Sequence, residues 1–366
     1  MSLFRYFIIV ISIFGYLEGL TQAVPGEASP AAPTQLIERI PQTEEKDLSA
    51  EKNAVESWEA VLKKDKTNQI AWFHFIENTY YSLLPARSRD LNNSGKQKLN
   101  ELLNELKQID DDSHAYHYLN YLIKGKSTDG LQSLDLAYQR RQEIGLLDDM
   151  LGKAIIEKNN AAKKDFSKKL NASGIYNSAL LEYNQNVLNS IEPNATLLTY
   201  GNADTYPLII LQEEFGLRRD VKVICIEWLM NKNYADNIIP GLSKVGGESE
   251  LVKMICEGTK DNIYLGLTLA PACYKNIDSR LYCTGLAFKY SEQPILAANS
   301  VINNWKSLFK LKYIKSNEDI NRNYLLPLII LEKYAANPQE KKEYTDLIEL
   351  LKAQVSNPKK INQYRD

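Results

Sequence analysis

Six consecutive residues, Tyr200-Gly201-Asn202-Ala203-Asp204-Thr205, set an acid, an amide and a hydroxyl in a short polar loop between apolar runs. The run ending in the loop, "ATLLTY" (195–200), and the next one, "VKVICI" (221–226), are rich in apolar and β-branched residues and read as strands. Between them "PLIILQEEFG" reads as a helix of about ten residues, with Pro207 in its first turn, where a missing N–H costs nothing. Strand, helix and strand make a βαβ unit, whose strands pair in parallel through a right-handed crossover. Ligands of such sheets bind beyond the carboxyl ends of the strands, and the loop falls there. Glu227 and Trp228 follow the second strand at the same edge. Asp204 and Glu227 can form a carboxylate pair for acid–base work, or bind sugar hydroxyls beside Trp228 as a stacking surface. Gly201, Asn202 and Thr205 complete the candidate ligand-binding set. The pattern also has a plainer reading, in which Asp204 or Thr205 caps the helix.

Other chemistries fit less well. A divalent cation wants several carboxylates or carbonyls, and Asn202 and Ala203 dilute the loop's acidity, so no metal is expected. The three histidines, His74, His114 and His117, all precede the βαβ region. A Ser-His-Asp or Cys-His centre within that region would therefore need a histidine from elsewhere. His114 and His117 have a spacing that can ligate zinc, but a closed site needs four ligands and no cysteine is nearby in sequence. Packed or surface imidazoles are the alternative. "GNADTYP" has neither the phosphate-loop nor the dinucleotide spacing, and no cofactor is expected. The four cysteines, Cys225, Cys256, Cys273 and Cys283, include no C-x-x-C pair. Cys225 reads as a buried free thiol, while Cys273 and Cys283 can pair only if their geometry allows.

The elements that must position these groups fall into an α plus α/β arrangement. Residues 46–191 are helical in pattern throughout, with about eight amphipathic segments and short connections. "KDKTNQIAW" (64–72) resembles "IDDDSHAYHY" (109–118): acids, a polar cap, then alanine and aromatics. This suggests degenerate tetratricopeptide-like helical hairpins, whose aromatics either line a groove or form the core. Residues 192–300 read as a small parallel-sheet, Rossmann-like α/β domain, with further strands at "NIYLGLTL" (262–269) and "LYCTGLAF" (281–288). Residues 301–366 form a C-terminal helical region, with a hairpin broken near "NPQ".

At the other end, "MSLFR", the apolar run "YFIIVISIFGYL" and "EGLTQA" follow the order of a secretory signal peptide, with cleavage near Ala23. Residues 1–23 are assigned to that peptide and 24–45 to a flexible Pro- and Ala-rich linker. An exported chain, periplasmic or secreted and with no membrane span in its mature part, is expected. The formal net charge of −2 argues against nucleic-acid partners. The lysines of "AAKKDFSKKL" (161–170) read as a solvated helix face.

The stretch "PNATLLTYGNADTYPLIILQEEFGLRRDVKVI" (193–224) resembles the soluble segment of a bacterial family of multi-spanning, protein-O-mannosyltransferase-like membrane proteins. Asn194, Ala195, Gly201, Asp204, Thr205, Pro207, Leu208, Leu211, Gln212, Glu213, Gly216, Arg218, Asp220 and Val221 carry the likeness. "LYCTGLAFKY" (281–290) is similar to a later segment of that family. The helical part is similar to exported Bacteroidota proteins that place tetratricopeptide-like hairpins before this α/β segment. The family's G-D-N-D loop is Gly-Asn-Ala-Asp here, and Cys225 stands where asparagine is common. No segment reads as the family's membrane-spanning half, so the resemblance does not bring glycosyl transfer with it.

The resulting expectation is an exported cell-envelope scaffold that binds a protein or peptide partner, with catalysis unassigned. The alternative is a glycan-related accessory or a hydrolytic or transferase enzyme using Asp204 and Glu227.

Overall fold

The computed structural model describes residues 48–84, 91–316 and 318–355. The signal-peptide and linker assignments, including cleavage near Ala23, lie outside the described residues. Among the described residues seven helices come first: α1 (Leu48–Lys64), α2 (Gln69–Leu83), α3 (Asn93–Ile109), α4 (His114–Lys124), α5 (Thr128–Arg140), α6 (Leu147–Ile156) and α7 (Asn160–Ser173). Helix α8 (Ser178–Asn189) leads into β1 (Thr196–Thr199), α9 (Asn202–Phe215) and β2 (Lys222–Cys225). The chain continues through α10 (Lys232–Ile238), α11 (Glu248–Gly258), β3 (Ile263–Gly266), β4 (Leu281–Cys283) and β5 (Ala287–Tyr290). It ends in α12 (Ala297–Asn303), α13 (Leu325–Lys333) and α14 (Pro338–Val355). Among the described residues no helix is long and apolar enough to cross a membrane.

The chain divides into two compact units. One holds α1–α7 together with residues 227–244, and so α10; the other holds α8, the sheet, α9 and α11–α14.

In the helical unit, consecutive helices pack as α1 on α2, α4 on α5 and α6 on α7. The apolar spacing explains the packing. On α5, Leu131, Leu134, Ala137 and Tyr138 recur three or four apart and are buried. Trp72, Phe73, Phe75, Tyr118 and Tyr121 are buried too, so these aromatics form core. The two similar stretches fold into the same turn. Asp65 accepts from the Thr67 amide at 2.9 Å, and Asp110 from the Asp112 amide at 3.1 Å. In each, the polar residue three positions on, Asn68 or Ser113, caps the next helix.

The second unit is centred on a five-stranded mixed sheet in the order β2-β1-β3-β5-β4. β1 pairs in parallel with both β2 and β3, with Leu198 opposite Ile224 on one side and Leu265 on the other. The parallel part is as the sequence pattern predicts. The far edge is not: residues 281–288 do not form one strand, and β4 and β5 make an antiparallel hairpin. The cause is the turn Thr284-Gly285-Leu286. Gly285 has φ +152°, and a Cβ there would lie 2.4 Å from the Ser190 Oγ. The same Oγ accepts the Leu286 amide at 2.8 Å, so the chain must reverse against α8.

Candidate functional site

β1 stops at Thr199, and the chain turns sharply at Gly201, whose φ of 83° and ψ of 173° place it where essentially only glycine goes. That turn starts α9 at Asn202, five residues before the expected helix. Gly201 is the N-cap and has no side chain to cap with, so neither Asp204 nor Thr205 stands at the cap position. Asp204 is the third helical residue, 7% exposed, in the first turn, where the helix dipole favours negative charge. Thr205 is buried, with its Oγ1 2.8 Å from that of Thr199, which ties the strand end to the helix start. Asn202 is half-buried. The early start also puts Pro207 inside the helix, where it withholds the amide that would bond the Ala203 carbonyl. Asn184 on α8 supplies a donor, its Nδ2 lying 3.5 Å from that oxygen.

Glu227 and Trp228 lie in a 3₁₀ turn, Ile226–Met230, directly after β2. They belong to the helical unit, whereas Gly201, Asn202, Asp204 and Thr205 belong to the sheet-centred one. Trp228 is 1% exposed and packs edge-on against Tyr234 at 6.0 Å, an interior side chain rather than an open stacking surface. Glu227 is half-buried. It adds its charge to a polar cluster that the sequence pattern does not reveal. There the Tyr121 hydroxyl donates to Asp149 at 2.5 Å, and Lys126 Nζ lies 3.2 Å from the same carboxylate oxygen. Burial first, then the Asp149 charge, pushes the Tyr121 hydroxyl well above its ordinary range, with Glu227 a smaller contributor. Asn231 caps α10 and donates to the Lys126 carbonyl at 3.2 Å.

A second grouping that the sequence reading missed lies just beyond β1 and β3. The Tyr200 hydroxyl donates to Glu248 Oε1 at 2.6 Å, and the Cys273 thiol points at Glu248 Oε2 from 3.4 Å. Tyr200 follows β1, Cys273 follows β3, and Glu248 opens α11. The one available signal was position, since each of the first two comes within a few residues of a strand's carboxyl end. All four cysteines are free and buried, so Cys273 and Cys283 are not paired. Burial pushes the Cys256 thiol up to about 12. An open depression of about 310 Å³ lies along α11, between Val245, Glu250, Met254 and Glu257, and the strand-end loop does not line it.

The rest of the motif is structural. Just before β2, Arg218 donates through Nη1 to the carbonyls of Leu188 (2.6 Å) and Ile191 (2.8 Å), and through Nη2 to Glu192 (3.0 Å). It grips Asp220 with Nε and Nη2, both at 2.9 Å. These bonds satisfy carbonyls at the end of α8 that the helix cannot satisfy itself. Asp220 also accepts the Asn194 amide at 3.0 Å, and the guanidinium beside it holds its carboxyl down to about 2. Gln212 closes the turn from α9, donating to the carbonyls of Arg218 and Val221 at 2.8 and 2.7 Å.

The histidine pair is structural as well. His114 Nδ1 lies 2.9 Å from the Ala137 carbonyl, and His117 Nε2 lies 3.0 Å from Asp112. No cluster of three metal-ligating side chains occurs among the described residues.

Fold and site together define a helical unit joined to a mixed-sheet α/β unit with a glycine-capped helix at its strand ends. Residues 180–254, from α8 into α11, match the family model of TMEM260-associated domain 2. No curated protein and no solved structure matches the chain.

Proposed function

We propose that the protein is an exported cell-envelope scaffold, periplasmic or secreted, whose helical hairpins bind a protein or peptide partner. The hairpins α1/α2, α4/α5 and α6/α7 are read as degenerate tetratricopeptide-type repeats that present their outer faces. The observation that carries this reading is apolar surface on the helical unit: Met230 is 63% exposed and Ile144 59%, while the neighbouring aromatics are buried. Exposed apolar side chains such as these are available to a partner's contact surface.

A second reading is a glycan-related accessory or enzyme using Asp204 and Glu227. It draws on the family match, whose span contains both residues. In this reading too, the protein-O-mannosyltransferase likeness is an analogy that does not transfer chemistry.

Site-specific photocrosslinking in the native envelope tests the first reading. Probes at positions 144 and 230 should give a common adduct that a probe at Lys164 does not give, and Ile144→Asp should abolish it. Adducts that do not depend on position would overturn the partner-binding reading. An adduct that carries glycan and is lost in Asp204→Asn would favour the second.

A further inference from the structure

His114 is the first residue of α4, yet it is only 3% exposed. An imidazole this deep needs partners for both ring nitrogens. Nδ1 has one, the Ala137 carbonyl on α5 at 2.9 Å. A carbonyl only accepts, so the network assigns the proton of the neutral ring to Nδ1. Nε2 is then the lone-pair nitrogen, and it is buried with no hydrogen-bond partner among the described residues. Around the ring stand Phe73 of α2, at 5.3 Å between centroids, and Tyr118 of α4, stacked at 6.3 Å. The titratable and charged groups facing it are His117 and Tyr118 on its own helix, and Arg141 and Glu143 beyond α5. On α2, Glu77 and Tyr81 act on Tyr118. Burial outweighs the Ala137 bond and the Glu143 charge, and holds the imidazole below its ordinary range.

We propose that His114 is an acid-sensitive latch on the seam between α2, α4 and α5, stable there only as the neutral ring. Protonation at Nε2 would create an N–H donor with no acceptor against two aromatic rings, a costly state in an apolar site. The seam responds by loosening around the ring, which lets water reach the new donor. One turn further along α4 the consequence differs. His117 faces Asp112, which also accepts from the Arg140 guanidinium at the end of α5. A charged His117 still donates to that carboxylate. Arg140, and then His117, hold Asp112 below the usual carboxylate range, so this clasp outlasts the change at His114. Acid therefore opens one side of the α4–α5 hairpin while the other stays closed.

The direction follows from proton counting. The unfolded imidazole binds a proton near pH 6.5, whereas the folded one resists it. The latch contributes fully above that pH. Below it the folding constant drops by up to about tenfold per pH unit, until the folded ring itself titrates.

Hydrogen exchange and histidine-ring NMR on the full chain test this between pH 7.5 and 5. The His114 ring should remain neutral below pH 6.5 with its proton on Nδ1. Exchange of α4 and α5 amides, corrected for the intrinsic pH effect, should accelerate by up to about tenfold per unit in that range. His114→Asn, which cannot titrate, should flatten the dependence, and His117→Asn should leave it in place. If His114→Asn does not fold, the wild-type ring still decides. A ring that titrates at the ordinary value overturns the proposal, as does unchanged α4 and α5 protection. A slope removed by His117→Asn alone would also overturn it.

Discussion

Before β2, every donor position that Arg218 uses meets a backbone carbonyl or the Asp220 carboxylate, through five hydrogen bonds. After β1, at the other end of the same βαβ unit, the helix starts on Gly201, a residue with no side chain to cap it. By contrast, Asn or Ser side chains cap α2, α3, α4, α5, α7, α8 and α10. The charged end is a clasp built for stability. The glycine end is a tight turn that keeps the backbone free of bulk where parallel sheets bind ligands. A dense run of motif residues can therefore mix two jobs, and only the bonding separates them.

Three substitutions break or sharpen that contrast. Arg218→Ala should have the largest effect. It removes the donors of three backbone carbonyls and the guanidinium partner of Asp220, at a cost of about 2–4 kcal/mol. The figure is below that for a fully buried pair because the two side chains keep 24% and 31% exposure. The Asp220 carboxyl, lowered to about 2, contributes stability that is whole above about pH 4 and lost as pH falls through about 2. The gap in urea midpoint between wild type and Arg218→Ala should be narrower at pH 2.5 than at pH 7, with the part due to the three carbonyls remaining. A gap of the same size at both would refute the clasp.

Gly201→Ala comes next, at roughly 1–3 kcal/mol, because alanine is strained at this φ and ψ. A melting temperature equal to wild type would show that the turn relaxes around a Cβ and does not depend on glycine.

Asp204→Asn should be the mildest, at about 0.3–1 kcal/mol, since it removes a first-turn charge from the helix dipole at a position other than the N-cap. An isothermal unfolding curve that matches wild type within a few tenths would mean the dipole does not act on this carboxylate.

Much of the frame is readable from residue types. The amphipathic segments between 48 and 189 become α1–α8, and the β-branched runs around the loop become parallel neighbours. These are local periodicities, which short-range sterics and burial enforce. What escapes is non-local. Pro207 looks like a helix start until Gly201 begins the helix earlier and Asn184 supplies the missing donor. The 281–288 run looks like one strand until Ser190, 95 positions away, leaves no room for a Cβ at Gly285. The Tyr200–Glu248–Cys273 and Tyr121–Lys126–Asp149 groupings join residues whose sequence separation hides them. The role of Arg218 escapes as well, because nothing nearby in sequence shows that the end of α8 needs its bonds.

The bond from Asn231 to the Lys126 carbonyl spans 105 positions of chain within one unit. Synthesis runs from the N-terminus, so the α4–α5 turn leaves the ribosome well before the residue that fastens it. At about 5–20 residues per second the wait is roughly 5–20 s. Through that interval the helices α1–α7 lack Trp228, Asn231 and Tyr234. A nascent chain paused after β2 should therefore be more protease-sensitive around residues 121–127 than one released past residue 244.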